Sequence, residues 1–233
     1  MEKTTHYPTD KLRAKDGSEF QMRFFKHASL ALEIAGKQIY IDPVSDFADY
    51  GSMEKADLIL ITHHHYDHFE LEAVKLLHKP STLIYCDQTT ARLLAEAEMA
   101  AEAMRPGDSA SPYTSLRIEA TAAYNISPEQ LQFHPKERED LGYILTYGGT
   151  RIYVAGDGEN HQEMMSLREV DIALLPANQP YTMKVEQVVE AVKAIRPAIL
   201  YPYHYGQTEF TTDLEALSRA LEGVCEVRLR GME

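Results

Sequence analysis

The stretch Asp57-Leu58-Ile59-Leu60-Ile61-Thr62-His63-His64-His65-Tyr66-Asp67-His68 decides the reading of this chain. Its first part, Leu58 to Ile61, is short, aliphatic and half β-branched, which fits a strand covered on both faces. Four histidines and an aspartate follow at once. Beyond them Phe69, Ala73, Leu76 and Leu77 recur at i, i+4, i+7 and i+8, the stripe of an amphipathic helix that closes near His78-Lys79-Pro80. In extended backbone His63 and His65 point the same way, because side chains alternate with period two. Asp67 and His68 fall where the chain turns into the helix and can be directed back toward that pair. Neutral imidazole suits zinc, iron, nickel and copper, and a carboxylate widens the choice to manganese. A histidine tract at a terminus would read as a tag. This one is internal, sits on a strand-loop-helix unit and carries an acid, so it reads as a specific metal site, with His64 a bystander.

Working outward, the 233 residues suffice for one large α/β domain with a substantial core, and we expect residues 1–17 to be an irregular arm or a first edge and 18–233 a single domain. The net charge of −13, from 23 basic and 36 acidic residues with no basic cluster, makes nucleic acid and anionic membranes poor partners. The two cysteines, Cys86 and Cys225, lie far apart in apolar, strand-like surroundings and read as free buried thiols. With no signal-like segment and no apolar run near membrane length, a cytoplasmic protein is expected.

Upstream of the metal stretch, alternation marks strands over Phe20 to Phe24, Leu30 to Ile34 and, after a Gly36-Lys37 turn, Gln38 to Ile41. Asp42-Pro43 ends the last of these. An aspartate held extended before proline could support a metal-bound histidine or simply form a turn. For His27, in Lys26-His27-Ala28-Ser29, a structural or solvent role is favoured. Downstream, Thr82 to Cys86 reads as a strand, Gln88 to Ala103 as a helix and Leu116 to Tyr124 as an edge strand. Ser127 to Asp140 is a long polar loop carrying His134. Gly142 to Tyr147 and Thr150 to Ala155 are strands joined by Gly148-Gly149, and the second ends in Gly156-Asp157-Gly158, an acid with room for close approach. Ile172 to Pro176, a helix over Met183 to Ile195, a strand from Ala198 to Tyr201 leading into Pro202-Tyr203-His204-Tyr205, a helix from Asp213 to Glu222 and a strand from Glu226 to Leu229 complete the chain.

Three strand ends thus offer His63/His65/Asp67/His68, Asp157 and His204. In α/β folds ligands bind at strand ends on one edge. Two sets of N/O donors sharing one acid could hold a pair of divalent ions with a hydroxide nucleophile between them.

The order strand-Asp42-Pro43, Thr62-His63-x-His65-x-Asp67-His68, Gly156-Asp157 and Pro202-x-His204-Tyr205 closely resembles the metallo-β-lactamase superfamily, over most of the chain from about Phe20. Within it the chain looks like the small stand-alone hydrolases related to the L-ascorbate-6-phosphate lactonases. The resemblance implies a four-layer αββα sandwich of two mixed sheets, in the α/β (α+β) class, with the site along one edge. It implies His63 and His65 as ligands of a first metal, Asp67, His68 and His204 as ligands of a second, Asp157 as the bridge, and Asp67 as the residue orienting the hydroxide. Two departures stand out. The family's further first-site histidine is missing after Ala123-Tyr124-Asn125, so His134 is favoured as its replacement over the amide oxygen of Asn125 or a weak first site. Gly158 stands where relatives often carry threonine, which is expected to alter only local packing.

The expected function is a metal-dependent hydrolase using a metal-bound hydroxide at a binuclear centre, with zinc favoured over manganese or iron, on a small ester, lactone or phosphodiester. Tyr205 is the candidate to donate a hydrogen bond at the site mouth. Rival readings are a nuclease-type phosphodiesterase, disfavoured by charge; a di-iron oxidoreductase, usually joined to a flavin domain; and a non-catalytic metal-binding module.

Overall fold

This computed structural model describes residues 7–206 and 208–233. Fourteen strands form two seven-stranded sheets. The first contains β1 (Thr9–Arg13), β2 (Glu19–Lys26), β3 (Ser29–Ile34), β4 (Lys37–Ile41), β5 (Leu58–Ile61), β6 (Leu83–Cys86) and β7 (Glu102–Ala103) in sequence order. The second contains β8 (Ser109–Tyr113), β9 (Leu116–Ala122), β10 (Leu141–Tyr147), β11 (Thr150–Val154), β12 (Ile172–Pro176), β13 (Ile199–Tyr203) and β14 (Glu226–Val227), also in sequence order. Each sheet opens with antiparallel strands and finishes parallel, the change falling at β4 in one and β11 in the other. The helices are α1 (Leu71–Leu77), α2 (Gln88–Glu96), α3 (Gln162–Met165), α4 (Val185–Ile195) and α5 (Leu214–Ala220).

The β5 run shows why the chain layers as it does. Leu58 and Leu60 point into the core between the sheets, while Ile59 and Ile61 point outward against Val74 and Leu77 of α1 and Leu94 of α2. A strand buried on both faces needs an apolar residue at every position, and each such side chain contributes roughly 1.5–3 kcal/mol by leaving water. On the far side α4 places Val188, Ala191, Val192 and Ile195 against the second sheet. The result is helix, sheet, sheet, helix, the αββα order expected.

Several local expectations change. Residues 9–13 of the expected irregular arm form the edge strand β1, paired along β2, the first-edge alternative; the arm's residues 1–6 lie outside the described residues. The turn before β4 is Ala35-Gly36, both at positive φ, rather than Gly36-Lys37, because Lys37 already pairs with Ile34. The helix expected over Gln88 to Ala103 stops at Glu96. Glu98 takes φ +58°, and Glu102–Ala103 pairs with β6 instead. β9 is not an edge, since β8 covers its other side. Both cysteines are free, Cys86 buried but Cys225 only half-buried and just outside β14.

The two sheets are tied where their edges meet. The Leu141 N–H donates to Thr62 O at 3.0 Å, the Tyr143 hydroxyl donates to Ile61 O at 2.8 Å, and the His204 N–H donates to His27 O at 3.0 Å. These bonds fix the ends of β2, β5, β10 and β13 against one another. No described helix is long and apolar enough to cross a membrane.

Candidate metal centre

Along that joined edge the structure gathers every histidine and acid singled out as a ligand. His63, His65 and His134 bring ring nitrogens within 4.8 Å of one another, and their ring centroids lie 4.5, 5.1 and 5.0 Å apart. A second group, Asp67, His68, His204 and His27, meets the same 4.8 Å limit. Asp157 stands between the groups. Its Oδ2 is 3.0 Å from His204 Nε2, 3.3 Å from His68 Nε2 and 3.5 Å from His134 Nε2. His64 belongs to neither group and lines the cleft above them.

Supporting groups orient the imidazoles. Buried Asp42 accepts from the Thr62 N–H and hydroxyl, both at 2.7 Å, and its Oδ2 lies 2.8 Å from His68 Nδ1. That leaves His68 Nε2 facing the site, the arrangement in which a carboxylate sets the tautomer of a ligating histidine. Asp42 reaches it with φ +46° rather than the extended backbone expected before proline. His134 is held likewise, with Nδ1 3.2 Å from Asp140 Oδ2, and Asp140 is itself clamped by Arg138.

Asn125 and Tyr205 do other work. The Asn125 amide donates to Gln130 O at 3.0 Å and Tyr181 O at 2.8 Å, and its N–H donates to His134 O at 2.8 Å, so it pins the loop that carries His134. The expected hydrogen bond from Tyr205 at the mouth is not formed, because its buried hydroxyl accepts the Met232 N–H at 3.0 Å. Tyr66 and Tyr181 line the cleft instead. Gly158 does more than alter local packing, because the Tyr124 backbone approaches it closely. A Cβ there would lie 2.6 Å from Tyr124 N and 2.8 Å from Tyr124 O, so a threonine needs a different backbone path.

His27 is the residue that sequence reading missed. It is buried, not solvent-facing, with Nε2 3.0 Å from Asp67 Oδ2 and its ring 3.7 Å from that of His204. No local pattern signals this, because both partners are remote in sequence.

The donor set suits divalent ions. His63 Nε2 and Asp157 Oδ1 are buried with no hydrogen-bond partner among the described residues, a costly state unless something else accepts their lone pairs. Burial, then neighbouring imidazoles, lowers His63 well below the ordinary range and His65 to about 4, so both present the neutral, metal-binding form. Burial would also lower His68 and His204, but Asp157 above all outweighs it, raising His68 well above normal and His204 to about 8. Burial would raise Asp157, yet His204 and His68 hold it well below the usual carboxylate range. Two carboxylates, Asp67 and Asp157, and the imidazoles around them are thus suited to share positive charge, from protons or from metal.

A pH dependence follows for metal-stripped protein. His204, raised in the fold, stabilises it fully below the unfolded value of about 6.5, and this is lost as pH rises through about 8, a difference on the order of 2 kcal/mol. His65 and His27, each lowered to about 4, favour the fold above about 6.5 and disfavour it as pH falls toward 4. Melting temperatures of the stripped protein should therefore peak near pH 6.5 and fall toward pH 8.5, and saturating metal should flatten the alkaline limb. A melting temperature that stays level from pH 6.5 to 8.5 without metal would refute the assignment.

Known proteins resemble this chain over most of its length. The family described as the beta-lactamase superfamily domain matches residues 21–204. A UPF0173 metal-dependent hydrolase of Thermoplasma acidophilum is 32% identical over 186 residues, covering 77% of this chain and 80% of the relative. A solved structure from Parabacteroides distasonis, provisionally named a metal-dependent hydrolase, is 40% identical with a TM-score of 0.91, covering 98% of this chain and 100% of that one. Igni18, described as a metallo hydrolase of Ignicoccus hospitalis, is 26% identical with a TM-score of 0.77, covering 97% and 96%. The chain therefore belongs to the metallo-β-lactamase superfamily and is one of its metal-dependent hydrolases.

Proposed function

We propose that the centre is binuclear, with zinc as the favoured metal, and that the protein hydrolyses a small ester, lactone or phosphodiester in the cytoplasm. The observation that carries this is Asp157, whose one carboxylate faces donors of both histidine groups. His63, His65 and His134 would hold one ion and Asp67, His68 and His204 the other, with Asp157 between them. When bound, such ions make hydroxide available near neutral pH and polarise the oxygen on which negative charge develops. Asp67 stays ionised, held low by His68 and His204 against the effect of burial, and so orients the attacking water. Free thiols and an acidic surface fit a reducing compartment and a small-molecule partner.

The cleft over the site, about 430 Å³, narrows the substrate. Its walls include Phe133 and Tyr181, packed edge to face at 4.8 Å, and Tyr66, and no lysine or arginine lines it among the described residues. An apolar or aromatic substituent beside the scissile bond suits these rings, whereas a remote phosphate has no cation to meet.

Elemental analysis of tag-free protein tests the centre. Two equivalents per chain are expected, falling to about one in His65→Ala and in His134→Ala; one equivalent untouched by His65→Ala would sink the binuclear reading. For the substrate, Phe133→Ala and Tyr181→Ala should each raise KM about tenfold on an aryl ester or lactone, matching about 1.4 kcal/mol of lost contact, with kcat little changed. A higher kcat/KM on a phosphorylated substrate than on its neutral counterpart would overturn the substrate assignment.

A further inference from the structure

His27 occupies the tip of the β2–β3 connection, where Lys26 pairs with Ser29 across a two-residue turn. Its φ is +53°. Glycine ordinarily takes such a position, and a non-glycine residue held there points to a function that outweighs the strain. The side chain is fixed as firmly as the backbone. Its ring lies between Phe47, stacked at 5.2 Å, and His204, 3.7 Å away, while the backbone N–H of His27 donates to Glu233 O at 3.2 Å. In that setting Nε2 meets Asp67 Oδ2 at 3.0 Å, and Nδ1 is buried with no partner among the described residues.

These contacts choose the tautomer. A proton on Nδ1 would be a buried donor without an acceptor and would turn the Nε2 lone pair onto a carboxylate oxygen, two unfavourable terms at once. A proton on Nε2 satisfies Asp67 and leaves only a lone pair unused. An Nε2 that carries hydrogen cannot also bind metal, although the atom lies within reach of the second donor group. His204 has the same partnerless Nδ1 but differs in place: its Nε2 lies 3.0 Å from His68 Nε2 and faces both Asp67 and Asp157, the point on which the second donor group converges, rather than one carboxylate oxygen alone.

We propose that His27 is a positioning residue: its Nε2–H donates to Asp67 Oδ2, the oxygen that also lies 3.5 Å from His204 Nε2, and so fixes how that carboxylate meets the second metal and the attacking water. The inference rests on the binuclear reading above. Asp67 comes from the loop after β5, and its side chain is partly exposed at the cleft. Among the described residues no hydroxyl or backbone N–H bonds to it, so His27 and the facing His204 are what hold it. A carboxylate left free to rotate would bind metal less tightly and point its water less well.

The test uses His27→Gly, which relaxes the turn and deletes the donor, and His27→Gln, which restores an N–H at similar reach. Both are read by kcat, by KM, by metal equivalents per chain, and by the affinity of the second equivalent in chelator competition. His27→Gly should keep two equivalents at saturating metal, bind the second about tenfold more weakly, and lose about 10- to 100-fold in kcat with KM nearly constant. His27→Gln should recover most of both losses, which a merely structural role would not predict. The proposal fails if His27→Gly matches native protein in kcat and affinity, if Gln does no better than Gly, or if either variant loses a whole equivalent at saturation, which would make His27 a ligand. Native protein that holds no metal would remove the binuclear reading itself and this inference with it; native protein with two equivalents and indifferent His27 variants would remove this inference alone.

Discussion

Asp157→Asn is expected to lower kcat/KM by about a thousandfold, roughly 4 kcal/mol of transition-state stabilisation, and to leave at most one weakly held metal equivalent. The substitution keeps the shape and removes the charge. In the native site one carboxylate oxygen faces His204, His68 and His134 at 3.0 to 3.5 Å, and the other has no partner among the described residues. With asparagine, two divalent ions would share the single negative charge of Asp67, and an NH2 group would confront ring nitrogens whose lone pairs serve the metals. His65→Ala provides the contrast, since it removes a donor from the first group only and should spare the second equivalent. A second consequence concerns the stripped protein. Asp157 is the foremost carboxylate raising His204, so in the variant that histidine should titrate lower and the loss of stability between pH 6.5 and 8 should shrink. Elemental analysis, kinetics and melting curves read all three effects. Two tightly bound equivalents in Asp157→Asn, or kcat/KM within about fivefold of native, would show that the carboxylate does not link the two groups.

The metal stretch was readable because its geometry is local. An all-apolar strand, an alternating His-x-His and a helix start lie within about twenty residues, and period alone sets their directions. His134 was harder: its place depends on Asn125 pinning the loop and on Asp140 turning the ring, neither of which leaves a periodic trace. His27 was not readable at all, since its ring meets Asp67 and His204 only after both sheets close. Tyr205 misled for the opposite reason. Sequence adjacency to His204 suggested a place at the mouth, but the backbone turns at His204, φ +50°, and sends the next side chain toward Met232. The α2 error is of another kind. The residues after Glu96 have good helix propensity, yet parallel pairing of Glu102 with Tyr85 brings them into the sheet, and tertiary pairing outweighs a preference of a few tenths of a kcal/mol per residue.

Gly156→Ala should be the most damaging single-methyl change near the site, destabilising the protein by about 4 kcal/mol and displacing Asp157. Two costs add. The residue sits at φ +67°, where a Cβ costs roughly 1–2 kcal/mol. That Cβ would also stand 2.2 Å from Leu141 O, a backbone atom unable to give way, because Leu141 pairs with Ala122 and donates its N–H to Thr62 O across the sheets. Overpacking a site this tightly held costs a further 1–3 kcal/mol, about the upper figure here. Relief requires Gly156 to retreat, but the Tyr203 hydroxyl holds its carbonyl at 3.1 Å in the core, and Asp157 is the next residue. The stability loss and the loss of metal should therefore appear together. Gly107→Ala separates the causes: Gly107 also has positive φ, +97°, but nothing lies within 4 Å of its Cβ position. It should show only the backbone cost, about 1 kcal/mol, with full metal content. Denaturant unfolding and elemental analysis of the two variants decide the matter. A Gly156→Ala protein within about 1 kcal/mol of native that still binds two equivalents would mean that the β11 end can move without disturbing Asp157, and that the site is held by its ligands rather than by the seam between the sheets.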